Sequence, residues 1–230
     1  MARGSLWVFG YGSLMWNPGF SYSERSIARL QGYHRALCIQ STHYRGTLAR
    51  PGLVFGLDRG GVCDGVAFEV PAGDAETVLA ALRQRELIYG VYREARVPVT
   101  LRTPDLRTVD AVTYIAERAH PTFAGPCHPL RQARIIRGAR GIAGTNLAYV
   151  VNTLAHLASL GVRDRDIERI GAMASVFAVR TGLRPNGEAA RVTALSAAWR
   201  QGRRAGPALK PQDQVRFRHR AALSRNSIED

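Results

Sequence analysis

Lysine is almost missing from this chain of 230 residues, because Lys210 is the only one and arginine supplies the rest of its basic charge. The net charge of +14 at pH 7 is compatible with a nucleic-acid partner, since clustered basic side chains neutralise phosphates. The charge is unevenly distributed, however. From Arg180 to the end there are 11 basic and four acidic residues, half of the net charge. Because a GC-rich genome alone can produce an arginine bias, we do not expect a nucleic-acid partner.

Cysteine is scarce as well, and no apolar run is long. The three cysteines, Cys38, Cys63 and Cys127, are widely spaced and form no CxxC pair. This pattern argues against a disulfide framework and against a structural zinc site, and it favours a reducing compartment. No apolar run approaches the roughly 20 residues that span a bilayer, and residues 1–5 leave no room for a signal peptide. We therefore expect a soluble, cytoplasmic protein without a membrane partner.

What the chain does contain is a glycine-rich turn directly after its first apolar stretch. Leu6–Phe9 has the composition of a buried strand, and Gly10, Tyr11, Gly12 and Ser13 follow it. Glycine allows backbone angles that are closed to other residues, and it lets a ligand approach the main chain. Unpaired backbone N–H groups in such a turn suit a carboxylate or a phosphate. The turn is either a plain strand end or an anion-binding loop.

A lone glutamate falls on the apolar side of a predicted helix. Asp74 is a suitable N-cap, and Val78 and Leu82 recur at helical spacing on one side. Four residues beyond Leu82, the same side carries Glu86. A carboxylate beside apolar surface is unfavourable unless it is paired or functional. Either Glu86 is a functional carboxylate, or the helix ends by Arg85 and leaves the glutamate solvated or paired with an arginine.

The remaining pattern predicts a mixture of strands and helices. Strands are expected over residues 30–39, 93–101 and 108–115, and a β-hairpin is expected from strands 53–57 and 62–70 with the turn at 58–61. Helices are expected over residues 130–137 and 146–160 and from Asp164 or Asp166 to Phe177. Strands dominate the first half of the chain. This order predicts an α+β domain built on a curved antiparallel or mixed β-sheet.

Beyond Gly182 the composition changes to arginine, glycine and proline with little apolar periodicity. Segments of this kind bury too little apolar surface to fold firmly. We therefore expect one catalytic domain over residues 1–182. Residues 183–230 are expected to form a basic, arginine-rich C-terminal extension that is partly ordered at best.

Five segments resemble the γ-glutamylcyclotransferase superfamily, in the same order along the chain. Phe9–Leu14 is similar to the superfamily signature, and Met15–Trp16 continues it as in the ChaC branch, the glutathione-specific enzymes. The other matching segments are residues 40–52, 65–71, 85–93 and 144–149. The resemblance covers about residues 6 to 180. It is interrupted by Leu87–Val91, which is longer than the usual spacer after the glutamate and could reshape the mouth of a pocket.

The resemblance implies a γ-glutamylcyclotransferase-like fold, a curved sheet or small β-barrel with surrounding helices. It also implies a reaction in which the α-amine of a γ-glutamyl group attacks its own γ-carbonyl. The products are 5-oxoproline and a released amine, which for glutathione is cysteinylglycine. Because the nucleophile belongs to the substrate, the resemblance implies neither a cofactor nor a metal.

The resemblance also implies a role for each matching residue. Glu86 would act as general base and then as general acid, with a pKa lifted towards neutrality by desolvation. Backbone amides of the turn would hold the γ-glutamyl group, Tyr149 would line the site, and Arg45 would take the glycine carboxylate of glutathione. The substrate-binding residues implied in this way are Tyr11, Gly12, Ser13, Leu14, Arg45 and Tyr149.

Two alternatives stay open on the sequence alone. The chain could be a cyclotransferase that acts on other γ-glutamyl amines or dipeptides. It could also be a non-catalytic nucleic-acid-binding protein that uses the basic tail, although a glutamate in register with the turn motif speaks against this. The sequence does not report the oligomeric state.

Overall fold

In the computed structural model of this chain, residues 5–180 are described, and side chains are described for residues 5–176. The predicted extension 183–230 lies outside them. The strands are β1 Leu6–Gly10, β2 Glu24–Ser41, β3 Gly52–Val70, β4 Tyr92–Leu101 and β5 Thr108–Ala116. The helices are α1 Ala75–Glu86, α2 Pro129–Gly138, α3 Asn146–Ser159 and α4 Arg165–Arg180. A short 3₁₀ turn, Ser13–Met15, follows β1, and Arg140–Gly141 (β6) pairs with Gly144–Thr145 (β7).

The five long strands form a closed barrel in the order β1-β3-β2-β4-β5. Neighbouring strands are antiparallel except at the closure, where β1 runs parallel to β5 and Val8 lies opposite Val112. Closure removes the unpaired edges that an open sheet would expose. The predicted α+β class and the mixed, curved sheet or small barrel are therefore confirmed.

The predicted hairpin at residues 53–70 is wrong, because β3 runs without reversal through its whole length against β2. The glycine pair that suggested a turn forms a β-bulge instead. Gly60 and Gly61 have φ of 91° and 71°, and the register with β2 shifts between Gln31 and Tyr33. Gly32 lies inside this shift and has φ of 81°, so both strands bend at the same place. Positive-φ glycines serve a bulge as readily as a turn, and sequence alone does not separate the two.

Two packing contacts place the helices around the barrel. Helices α2, α3 and α4 extend the core of the barrel with apolar residues such as Ile136, Val150 and Ile167. Helix α1 packs against the β1 and β5 side of the barrel, where Val78 and Leu82 join Val8 in a second cluster. Leu14 and Leu87 belong to that cluster as well, so the C-terminal end of α1 lies against the turn that follows β1.

The cysteines are free thiols. Cys38 and Cys63 are buried within the barrel strands, and Cys127 is partly exposed before α2. In the part of the chain that the structure describes, the helices are too short or too polar to cross a lipid bilayer.

Candidate active site

The turn after β1 is tight and leaves its amides unused. A Cβ atom on Gly10 would stand 2.9 Å from the Cβ of Leu14, so the turn closes this way only around glycine. The chain then enters the 3₁₀ turn, where the Met15 N–H donates to the carbonyl oxygen of Gly12 at 3.0 Å. The N–H groups of Gly12, Ser13 and Leu14 donate to no acceptor among residues 5–180. Adjacent N–H groups without acceptors form a concave site suited to an anion.

A buried arginine holds the carbonyl side of this turn. Arg35 on β2 is 4% exposed, and its Nε donates to the carbonyl oxygen of Tyr11 at 2.6 Å. Its Nη1 pairs with Oδ2 of Asp164, before α4, at 2.7 Å, and its Nη2 donates to the carbonyl oxygen of Asp64 at 2.6 Å. One side chain therefore ties the turn to β3 and to the start of α4.

Glu86 is the last residue of α1, so the helix does not end before it. Its side chain is 18% exposed, and Arg85 Nε lies 3.1 Å from its Oε1. Burial raises the pKa of the Glu86 carboxyl, and the Arg85 guanidinium opposes part of that rise. The C-terminal end of a helix carries a partial negative charge, which also disfavours an ionised carboxylate there. The alternative in which the helix ends by Arg85 is therefore wrong, although the pairing with an arginine that it allowed is present. A functional role for Glu86 stays a prediction.

The turn and the glutamate line one cleft. Its empty volume is about 370 Å³, counting the open solvent at its mouth. Six of the seven predicted site residues line it: Tyr11, Gly12, Ser13, Leu14, Glu86 and Tyr149. A cleft lined by unpaired amides and by a carboxyl of raised pKa can bind a carboxylate and move a proton beside it.

Three further residues line the cleft that the sequence analysis missed: Phe55, Tyr92 and Tyr114. Tyr114 could have been found, because alternation along β5 puts it on the same side as Val112, which packs against α1. Phe55 lies near the start of β3, and its sequence neighbourhood does not mark it as a site residue. It contributes its carbonyl oxygen to the Tyr92 hydroxyl at 2.7 Å and its N–H to the Tyr149 hydroxyl at 3.2 Å.

The tyrosine hydroxyls around the cleft are neutral. Burial raises the pKa of each, and the nearby Glu86 carboxylate adds to the rise; for Tyr149 the value reaches about 12. The Tyr11 hydroxyl donates to the carbonyl oxygen of Tyr114 at 2.8 Å. The Tyr149 hydroxyl differs, because its partner is an N–H donor, and among the described residues no acceptor takes its own proton.

Arg45 does not line the cleft. Its Nη1 donates to the carbonyl oxygens of Ala143 at 2.5 Å and Thr145 at 3.4 Å. Its guanidinium carbon lies 5.3 Å from the ring centroid of Tyr149, within the range of a cation–π contact. Arg45 thus supports the loop before α3 and the ring of Tyr149, and its contact with a substrate carboxylate stays a prediction.

Comparison with known proteins decides the family. The profile of the ChaC-like protein family matches residues 6–176. The chain belongs to the ChaC-like family. The glutathione-specific γ-glutamylcyclotransferase of Escherichia coli (strain K12) is 38% identical to this ChaC-like protein over 162 residues, which cover 70% of this chain and 69% of that one. The human glutathione-specific γ-glutamylcyclotransferase 1 is 30% identical over 181 residues, covering 75% of this chain and 82% of that one.

The fold of this ChaC-like protein is also that of a solved relative. A crystal structure of a yeast γ-glutamyl cyclotransferase specific to glutathione superposes with a TM-score of 0.69. The match covers 76% of this chain and 97% of the yeast chain at 23% sequence identity. The γ-glutamylcyclotransferase-like fold implied by the sequence motifs is therefore confirmed.

Proposed function

We propose that this ChaC-like protein is a glutathione-specific γ-glutamylcyclotransferase, which converts glutathione to 5-oxoproline and cysteinylglycine. The observation that carries the proposal is the single cleft lined both by the unpaired amides of the turn and by Glu86. Relatives named for this activity, at 30% to 38% identity, support the same conclusion.

The substrate's α-carboxylate binds to the free N–H groups of Gly12, Ser13 and Leu14, which places its α-amine beside Glu86. The carboxylate of Glu86 removes a proton from the α-ammonium, and the amine attacks the γ-carbonyl carbon. A new C–N bond closes the five-membered ring, and the bond to the cysteinyl nitrogen breaks. Glu86 returns this proton to that nitrogen and takes the second proton from the ring nitrogen, which becomes the lactam N–H of 5-oxoproline. The second proton passes to the released amine, so cysteinylglycine leaves as an ammonium and no proton is gained or lost by the enzyme.

Two physical effects supply the rate in this scheme. An intramolecular nucleophile held in a near-attack geometry reaches effective molarities of ~10⁵ M or more. A general base works best when its pKa lies near the working pH, and the raised pKa of Glu86 moves the carboxyl in that direction. Activated serine or cysteine nucleophiles are unnecessary, because the substrate carries its own.

Tyr149 is proposed as the donor to the oxygen of the γ-carbonyl, where negative charge develops. Its hydroxyl accepts the Phe55 N–H, so its own proton is available to the cleft. We expect Tyr149→Phe to lower kcat on glutathione about 10²-fold, as loss of one oxyanion donor does elsewhere. The matched control is Tyr22→Phe, which removes a hydroxyl from a tyrosine that is 39% exposed and outside the cleft. Equal kcat values for the two variants would remove Tyr149 from this role.

The experiment that tests the function is direct. Purified protein is incubated with glutathione, and 5-oxoproline and cysteinylglycine are quantified by mass spectrometry. We expect both products in equal amounts. A folded protein that yields neither product would contradict the proposal.

A second candidate substrate class follows from the position of Arg45. The residue implied for the glycine carboxylate of glutathione donates to the backbone carbonyls of Ala143 and Thr145 instead of lining the cleft. Other γ-glutamyl amines and dipeptides lack the glycine residue that carries this carboxylate. Comparing kcat/KM for glutathione, γ-glutamyl-alanine and γ-glutamyl-lysine separates the two classes, and the glutathione-specific proposal expects glutathione to be preferred.

A further inference from the structure

Arg85 contacts both halves of the proposed site. Its Nε lies 3.1 Å from Oε1 of Glu86, and its Nη2 donates to the hydroxyl oxygen of Ser13 at 2.9 Å. Its Nη1 donates to the carbonyl oxygens of Asn17 and Pro18 at 2.9 Å and 3.3 Å. One guanidinium, 26% exposed, therefore joins the carboxylate to the turn and to the loop that follows it.

We propose that Arg85 is a positioning residue for the cyclotransferase reaction, which holds the Glu86 carboxylate against the γ-glutamyl-binding turn and keeps it ionised before substrate binds. This inference rests on the proposed function. Arg85 is thus a charged partner of Glu86 that does not itself line the cleft. The planar guanidinium is suited to the task, because its fixed fork reaches a carboxylate and several carbonyl oxygens at once.

The groups that face Glu86 from other elements are neutral. Each is a phenol whose pKa is raised by burial. They come from the turn after β1 and from β4, β5 and α3: Tyr11, Tyr92, Tyr114 and Tyr149. Among the described residues, Arg85 is the charged group that acts on the Glu86 carboxyl. Removal of its charge therefore acts on the carboxyl without compensation from another cation in this part of the chain.

The sign of the effect follows from the opposing influences on Glu86. Burial and the C-terminal end of α1 favour the neutral acid, whereas a guanidinium at 3.1 Å favours the carboxylate. Without Arg85 the pKa of Glu86 rises further. Because the carboxylate is the form that accepts the proton, the acid limb of the pH profile for kcat/KM then moves to higher pH.

The test compares the pH dependence of kcat/KM on glutathione for the wild type and Arg85→Gln. We expect the acid limb of Arg85→Gln to lie about one pH unit above that of the wild type. This is the lower end of the shift that a close opposite charge produces, and we choose it because the Arg85–Glu86 pair is partly exposed. At pH values below both limbs, kcat/KM then falls a further ~10-fold relative to the alkaline plateau. A purely structural role would lower the whole profile without moving the limb.

Two variants make the test specific. Arg83→Gln removes the same charge from the same helix, but Arg83 pairs with Glu94 at 2.7 Å on the exposed side, so its acid limb is expected to match the wild type. Arg85→Lys keeps the charge but loses the fork, so we expect the wild-type limb with a plateau lowered several-fold. Circular dichroism and melting curves establish that each variant folds.

Several outcomes would overturn the inference. The first is an acid limb of kcat/KM that lies at the same pH in the wild type and in Arg85→Gln. The second is a limb that shifts as far in Arg83→Gln as in Arg85→Gln. If Arg85→Gln does not fold, the third is a plateau of kcat/KM in Arg85→Lys equal to that of the wild type. An active wild type with any of these results leaves the proposed function standing. A folded wild type that forms no 5-oxoproline overturns the proposed function and this inference together.

Discussion

Glu86→Gln is expected to lower kcat on glutathione by at least ~10² while the protein stays folded. Glutamine keeps the size of the side chain and an oxygen that can accept from Arg85, but it cannot take up the proton of the α-ammonium. The measurement is kcat with saturating glutathione, read from the release of 5-oxoproline. Glu76→Gln makes the same chemical change in the first turn of the same helix and is expected to leave kcat unchanged.

The same variant has a stability signature with a definite sign. A carboxyl whose pKa is raised on folding stabilises the protein only below its unfolded pKa, and the contribution is lost as pH rises through the folded value. Glu86→Gln should therefore melt at or above the wild-type temperature at pH 7, and the difference should vanish near pH 4. An inactive variant that is not destabilised separates chemistry from folding, whereas near-normal kcat would exclude Glu86 as the base.

Arg35→Met is expected to have the largest effect on stability. The Arg35 side chain is 1% exposed, so water cannot replace its bonds to Asp164 and to the carbonyl oxygens of Tyr11 and Asp64. Removing one partner of a buried, hydrogen-bonded pair destabilises by about 3 to 5 kcal/mol. We expect a value near 3 kcal/mol, since Asp164 retains some contact with water, and a fall in Tm of roughly 6 to 12 °C.

Arg29→Met is the matched control for this change. Arg29 lies on the same strand and pairs with Asp64 at 2.8 Å, but its side chain is 41% exposed. Pairs with one exposed partner contribute about 1 kcal/mol or less, so this variant should lose little stability in urea or thermal unfolding. Equal losses of stability in the two variants would mean that the buried hydrogen bonds and ion pair of Arg35 stabilise the protein no more than the exposed pair of Arg29 does. If Arg35→Met loses more stability than Arg29→Met and also has a raised KM for glutathione, measured well below its Tm, then the contact of Arg35 with the Tyr11 carbonyl oxygen contributes to substrate binding.

The parts of the site that sequence predicts are those with a local pattern. The turn after β1 is marked by glycines within a few residues, and Glu86 is marked by its place on the apolar side of α1. A helix face follows from spacing alone, so both segments are found without knowledge of the fold. Their meeting in one cleft depends on the packing of α1 against β1 and β5, which the family resemblance implies and the spacing does not.

Residues whose role depends on contacts distant in the sequence cannot be identified from a local pattern. Arg35 is one of many arginines in the sequence, and only the barrel brings it to Tyr11 and Asp164. Phe55 acts through its backbone, which has no sequence signature. The sequence predicts a turn at Gly60 and Gly61, where the structure has a bulge, because positive-φ glycines occur in both. The boundary at residue 182, the cytoplasmic location and the carboxylate contact of Arg45 stay predictions.

The buried thiols have a consequence for the proposed activity on glutathione. Thiol–disulfide exchange requires an accessible thiolate. Burial raises the pKa of Cys38 to about 12 and that of Cys63 to about 11, so both remain protonated and covered at neutral pH. Oxidised glutathione, the disulfide of the proposed substrate, therefore finds no exchange partner among the barrel cysteines. We therefore expect mixed-disulfide formation at Cys127 alone, and a proposed activity that does not depend on oxidation of the barrel thiols.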